Sequence, residues 1–202
     1  MKLNREERLI SLLHFDASFQ IRPIAGIDEA GRGPLAGPVT AACVIMPEDS
    51  KILYIDDSKK LSEKRREQVY EEIIQTALFA KAVSIEPAVI DEINILNATK
   101  LAMQKAAEGC PAELFLVDYV DNLVLPKKSI PVVKGDANSY SIAAASIVAK
   151  VTRDRYMREA EELYPGYNFI KNKGYGTKAH IDAIKAIGPC PIHRRSFITK
   201  FL

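Results

Sequence analysis

Hydrophobic and polar positions follow two different periods along the chain, and the switches between them mark out its elements. Residues 2–18 gather Leu3, Leu9, Leu12 and Leu13 on one side of a helical wheel, which predicts a short amphipathic helix. Ile24-Ala25-Gly26-Ile27-Asp28 reads as a strand. The turn Gly31-Arg32-Gly33-Pro34 follows, and Val39 to Met46, rich in small and β-branched residues, reads as a second strand. Their short connection predicts an antiparallel pair. Ser62 is placed to cap a helix running to about Ala77, and Phe79 to Ile85 is a further strand. Pro87 opens a helical stretch that Asn97 to Glu108 continues up to Gly109. Glu113 to Asp118 is an apolar strand ending in a carboxylate, and Ile130 to Val133 is a shorter one. Ser139 to Leu163 is the longest helical pattern, closed by Pro165. Lys171 to Thr177 reads as a polar loop, and Thr177 caps a final helix to Ile187. Early strands joined by turns and later strands alternating with helices predict an α/β fold, a mixed sheet with helices packed on it.

Composition narrows the class. The 202 residues are 48% hydrophobic and 27% charged, ordinary for a globular chain. They predict one domain over residues 1–202, with an N-terminal helix in 1–20 and a basic helical part from about 165 to 202. The longest apolar run, Ile142 to Ala149, is far shorter than the ~20 residues a membrane span needs. The N-terminus lacks the apolar core of a signal peptide, so a cytoplasmic location and no membrane are expected. Cys43, Cys110 and Cys190 are odd in number and far apart, which predicts incidental thiols, neither a disulfide framework nor a zinc site.

Charge is uneven. The net charge is +2, yet residues 165–202 carry seven basic side chains against Asp182 alone, leaving that tail at +6 and the body at −4. A basic end suits a polyanion, although a solvated basic face explains it as well.

The placement of acids carries the chemistry. Asp28 and Glu29 close the first strand, Asp118 closes the Glu113–Asp118 strand, and Asp136 follows the short one. Acids are strand-averse and costly to bury, so four of them where apolar strands stop suggest one mouth at a sheet edge. Each alone is more simply a turn or cap residue. Together they repel unless a cation sits among them, and all-oxygen ligation favours magnesium or manganese over zinc. Such a site suits two-metal hydrolysis of a phosphodiester. Adjacent strand residues face opposite ways, so Asp28 and Glu29 serve one site only if the chain turns there or one acts through its backbone.

Other segments add candidate contacts. Gly31, Arg32 and Gly33 expose backbone, and Arg32 offers a planar fork for phosphate; a solvated hairpin arginine is the plain alternative. Asp57-Ser58-Lys59-Lys60-Leu61 leads into the Ser62-capped helix, where anions are favoured. Ser139 and Ser141 are cap candidates, and Ala143 to Ala145 read as packing residues. Tyr175 lies between two glycines and can stack on a base or sugar. His180 reads as structural, whereas His193, beside Arg194 and Arg195, is a candidate phosphate contact.

Six segments in series then resemble a known family. They are Gly26-Ile27-Asp28-Glu29-Ala30-Gly31-Arg32-Gly33-Pro34, Asp57-Ser58-Lys59-Lys60-Leu61, Val133-Lys134-Gly135-Asp136, Ala143 to Asp154, Lys173-Gly174-Tyr175-Gly176-Thr177 and His193-Arg194-Arg195-Ser196-Phe197. In this order, from about Ile21 to Phe197, the chain resembles bacterial ribonuclease HII. The resemblance implies a ribonuclease H-like fold, a central mixed sheet flanked by helices with a helical C-terminal part. It implies hydrolysis of the RNA strand of RNA–DNA hybrids. It also implies cutting on the 5′ side of single ribonucleotides in duplex DNA, leaving 3′-hydroxyl and 5′-phosphate ends. Two magnesium or manganese ions would be held by Asp28, Glu29, Asp118 and Asp136, with Asp28 bridging them. Gly31, Arg32 and Gly33 would sense the ribose 2′-hydroxyl, Tyr175 would stack on the next sugar, and Lys59 would approach phosphate. The pattern departs at Tyr119, where the family usually has glycine, and Asp121 lies close by; Asp118 is favoured because it ends the apolar run. The expected partners are RNA–DNA hybrids and ribonucleotide-containing duplex DNA, met by a monomer. The sister class ribonuclease HIII ranks second, because the segment before the first strand is short for that class's extra domain. A non-catalytic nucleic-acid binder ranks lower, since it has no use for strand-end acids that repel phosphate.

Overall fold

The computed structural model describes residues 4–55, 61–120 and 122–202. Its elements run α1 (Arg5–Ala17), β1 (Ile24–Ala30), β2 (Val39–Ile45), α2 (Glu63–Thr76), β3 (Phe79–Ile85), α3 (Pro87–Ala107), β4 (Leu114–Asp118), β5 (Lys128–Val132), α4 (Gly135–Asn138), α5 (Tyr140–Leu163), α6 (Phe169–Asn172), α7 (Lys178–Ile187) and α8 (Arg195–Ile198), with a last 3-10 turn at Thr199–Phe201. The sheet order is β3-β2-β1-β4-β5. β2 lies antiparallel to β1 and β3, while β4 and β5 run parallel to β1. The expected mixed sheet and the antiparallel β1–β2 pair are both present.

Buried faces explain the order. Every residue of β2 is buried, as an apolar strand inside a sheet covered on both faces requires. On one face, α3 packs Ala98, Ala102 and Ala106, four residues apart, against Ile27, Ala41 and Cys43. On the other, α5 packs Ala143, Ala144 and Ile147 against Ala42 and Val44, with α1 and α2 outside it. Ser62, Ser139 and Thr177 act as the N-caps of α2, α5 and α7, each side chain accepting a backbone N–H.

The run of small residues at the start of α5 has a definite cause. A Cβ on Gly26 would stand 2.0 Å from the Ser141 carbonyl carbon. The backbone of α5 therefore rides directly on β1, and only glycine allows it.

Several boundaries depart from the sequence reading. β1 stays regular through Ala30, two residues beyond Asp28, because its pairing with β2 continues to Ala30–Thr40. β5 begins at Lys128, earlier than expected, and ends at Val132. The short helices α4, α6 and α8 were not anticipated: four residues are too few to carry a period. α7 is therefore not the last helix. The basic tail folds around Leu35, Met157, Phe169, Ile184 and Ile198, so it packs onto the loop between β1 and β2. Among the described residues, no helix is long and apolar enough to cross a membrane.

Candidate active site

Ile27 and Val117 are partners in the parallel β1–β4 ladder, so the next residues, Asp28 and Asp118, stand side by side and face the same way. That way is toward α5. Asp28 is 4% exposed. Its carboxyl is met by the Ser146 hydroxyl and accepts the Glu29 N–H at 2.7 Å. Burial, and then the charges of Glu29 and Asp118, hold the Asp28 carboxyl well above the usual carboxylate range. Asp118 accepts the Gly135 N–H at 2.7 Å. This bond ties the end of β4 to α4, whose first turn holds Asp136. Glu29 leaves the regular strand on the other side, but at the strand end it lines the same cleft as Ser146 and Lys150, its charge acts on Asp28, and its carboxylate reaches within 3.7 Å of the Arg32 guanidinium. Among the described residues, no three His, Cys, Asp or Glu side chains already stand at metal-ligand spacing. The acids border one strand end without forming a closed cage.

Beside them opens a cleft of about 260 Å³, lined by Glu29, Gly31, Arg32, Gly33 and Tyr175 together with Ser146, Lys150 and Arg153. A larger apolar cavity of about 500 Å³ lies at the opposite end of the strands, by Ile24 and Ile45, away from these acids. Gly31 adopts φ +97°, and a Cβ there would stand 2.1 Å from Arg153 Nε. That close approach is used. Arg153 donates to the carbonyls of Pro38 (2.9 Å), Ala36 (3.1 Å) and Lys173 (2.9 Å). Arg194 donates to those of Gly37 (2.9 Å), Arg32 (2.9 Å) and Gly31 (2.6 Å). Two enclosed guanidinium groups thus hold the Gly31–Pro38 loop from behind. Burial and the neighbouring charge of Arg153 push Arg194 down to about 9. Tyr175 is 46% exposed at the cleft mouth. The Gly174 carbonyl beside it accepts the Leu35 N–H at 2.8 Å. Lys150 is fixed by Asp154 at 2.6 Å, and Asp154 also takes Arg66 at 3.0 Å.

Residues 25–200 match the model of the family Ribonuclease HII. A Ribonuclease HII of Caldanaerobacter subterraneus subsp. tengcongensis is 57% identical over 181 residues, covering 89% of this chain and 75% of that one. The chain belongs to the ribonuclease HII family. A Ribonuclease HII of Lachnoclostridium phytofermentans is 54% identical over 203 residues, 98% of this chain and 79% of that one. The RNase HII solved in complex with PCNA from Archaeoglobus fulgidus has the same fold, with a TM-score of 0.76 at 27% identity over 88% of this chain and 94% of that one. Ribonuclease HII is a metal-dependent endoribonuclease that acts on RNA–DNA hybrids, and the chain carries that activity.

Within this ribonuclease HII framework, two expected phosphate contacts are corrected. His193 is 1% exposed and Arg194 is fully enclosed, so neither side chain reaches a substrate surface. The reason is tertiary: the tail folds inward, and Ala36 forms an isolated bridge with His193. His193 Nδ1 accepts the Cys190 N–H at 3.0 Å, which leaves its Nε2–H to donate to His180 Nε2 at 3.0 Å. His180 Nδ1–H then donates to the Tyr175 carbonyl at 2.9 Å. Both histidines position the Tyr175 loop. Lys59, like Asp57 and Asp121, lies outside the described residues.

Sequence reasoning gave no role to Ser146, Lys150, Arg153 or Asp154. The spacing of Lys150 and Asp154, one helical turn apart, was a readable sign of a fixed pair. Ser146 was hidden among small packing residues. A hard divalent cation fits what is present: an all-oxygen donor set around a buried carboxyl whose charge is disfavoured by burial and then by Glu29 and Asp118, and which a cation would offset.

Proposed function

We propose that this ribonuclease HII cuts on the 5′ side of single ribonucleotides in duplex DNA, besides hydrolysing the RNA of hybrids, and leaves 3′-hydroxyl and 5′-phosphate ends. Asp28, Glu29, Asp118 and Asp136 are the residues that would hold two magnesium or manganese ions. Such ions supply an activated water at neutral pH and charge to offset the leaving oxygen. The observation that carries this reading is the buried Asp28 carboxyl beside Asp118 at the end of paired strands.

The chain's own residues have distinct tasks. Ser146 orients Asp28 by its hydrogen bond. Gly31 and Gly33 present backbone to the ribose, whose 2′-hydroxyl is the group that separates RNA from DNA. Arg32 meets phosphate from an exposed position. Tyr175 offers its ring to the following sugar. Lys59, by the family resemblance, is a further phosphate contact. Lys150 sits at the cleft with its charge held by Asp154, a further phosphate contact. The protein works as a single-domain monomer in the cytoplasm.

The test is cleavage of labelled duplex DNA with one embedded ribonucleotide, in magnesium, manganese or chelator, beside an all-DNA control. A metal-dependent cut only on the 5′ side of the ribonucleotide supports the reading. Cleavage of long hybrids alone removes the junction-sensing role from Gly31, Arg32 and Gly33.

A further inference from the structure

Cys43 and Cys110 stand 67 residues apart in the chain, yet their sulfurs are 3.6 Å apart. Spacing along the chain hides this encounter. Cys43 lies on β2 in the core against α3 and is fully buried. Cys110 follows the end of α3, is half-buried, and packs against the same core.

The surroundings favour sulfur chemistry at Cys110. It is accessible, and the Ala112 N–H points at its sulfur. Lys81, the β3 partner of Cys43, brings its ammonium to within 3.2 Å of the Glu108 carbonyl and 3.9 Å of its carboxylate, and its charge favours the thiolate of Cys43. Gly109, just before Cys110, has φ +79° and open space around it. Closing the sulfurs to a bond of about 2.05 Å is a movement of roughly 1.5 Å, which this turn can supply. Cys190 differs: it sits beside His193 in the separate C-terminal core.

We propose that Cys43 and Cys110 form a thiol–disulfide exchange site for small disulfides such as oxidised glutathione. The Cys110 thiolate attacks one sulfur of the reagent and expels a glutathione thiolate, leaving a mixed disulfide. Cys43 then attacks the Cys110 sulfur and passes its proton to the departing second glutathione, which leaves as the thiol. Two protein thiols are oxidised and one glutathione disulfide is reduced to two thiols. The bond staples β2 to the loop between α3 and β4. It closes a long loop and so restricts the unfolded chain. It lies on the α3 face of the sheet, whereas Asp28 faces α5, so cleavage is unaffected.

The test treats the full chain with excess oxidised glutathione. Expected are the loss of two of its three thiols, a Cys43–Cys110 linked peptide, and a rise in Tm of roughly 5–10 °C that dithiothreitol reverses. The cleavage rate stays within about twofold. Cys43→Ala accumulates a stable mixed disulfide on Cys110, and Cys110→Ser, altered only on a half-exposed loop, takes up none at Cys43. Three thiols surviving in the wild type, a persistent glutathione adduct on Cys110 without the linked peptide, or linkage only between chains would each overturn the proposal. A linked peptide with no rise in Tm would overturn its stabilising role.

Discussion

The Arg194 Nη2 group donates to the Gly31 carbonyl at 2.6 Å, across 163 residues of chain. The same guanidinium holds Arg32 and Gly37, so the C-terminal segment fixes the shape of the loop that borders the acids. Arg194 acts by positioning. Its replacement by Lys keeps a charge but gives up the planar fork, leaving carbonyls without donors at about 1–3 kcal/mol each. For Arg194→Lys we expect lower stability in urea unfolding. We also expect a larger loss of cleavage at single ribonucleotides than on long hybrids. Equal loss on both substrates would show that the loop has no selective part.

Asp28→Asn separates catalysis from folding. The carboxyl is buried and opposed by Glu29 and Asp118. Removing its charge should raise the unfolding midpoint of the metal-free protein. Cleavage should fall by roughly 10³-fold or more, several kcal/mol of transition-state stabilisation, while hybrid binding in a gel-shift assay persists. A less stable variant that still cuts would contradict the assignment.

The paired histidines predict an acid limit to stability. Burial, and then the nearby His180, push His193 down to about 4, and burial lowers His180 as well. Both are neutral in the fold, and each takes up a proton near 6.5 when unfolded. Their contribution is therefore complete above about pH 6.5 and is lost as pH falls toward about 4, on the order of 2–3 kcal/mol from His193. Urea unfolding across this window gives the slope, which should flatten in His193→Gln. Nitrogen-15 spectra should show His193 protonated at Nε2 and His180 at Nδ1 at neutral pH.

Tyr175 makes a complementary case. Its ring is half exposed, so Tyr175→Ala should leave Tm nearly unchanged. Stacking worth about 1–3 kcal/mol corresponds to a fall in kcat/KM of roughly 5- to 150-fold. Tyr175→Phe keeps the face of the ring and should stay close to wild type. A strong loss in the Phe variant would point to the hydroxyl instead.

What the sequence revealed depended on range. Caps are local, so Ser62, Ser139 and Thr177 were readable and are used. Phe79–Ile85 was readable as a strand at its observed bounds, because apolar residues and turn signals sit within a few positions of each other. Asp28 and Asp118 could be set at strand ends, but their adjacency depends on the β1–β4 register, which no local pattern encodes. The inward turn of His193 and Arg194 was hidden for the same reason. Nothing in a His-Arg-Arg run tells which side chains will meet carbonyls of a loop 160 residues earlier and which, like Arg195, will stay outside. Cys43 and Cys110 are a third case of contact without sequence proximity.

The parallel pairing of β1 with β4 also bears on when the protein first becomes dangerous to nucleic acid. A chain emerging from the ribosome completes β1, β2, β3 and α3 before β4 exists. During that interval Asp28 has neither Asp118 beside it nor Ser146 above it. Pairings so distant along the chain form late, because the intervening loop must be closed first. The acids can therefore come together only once the chain has been made through β4, α4 and the first turns of α5, well over half of its length.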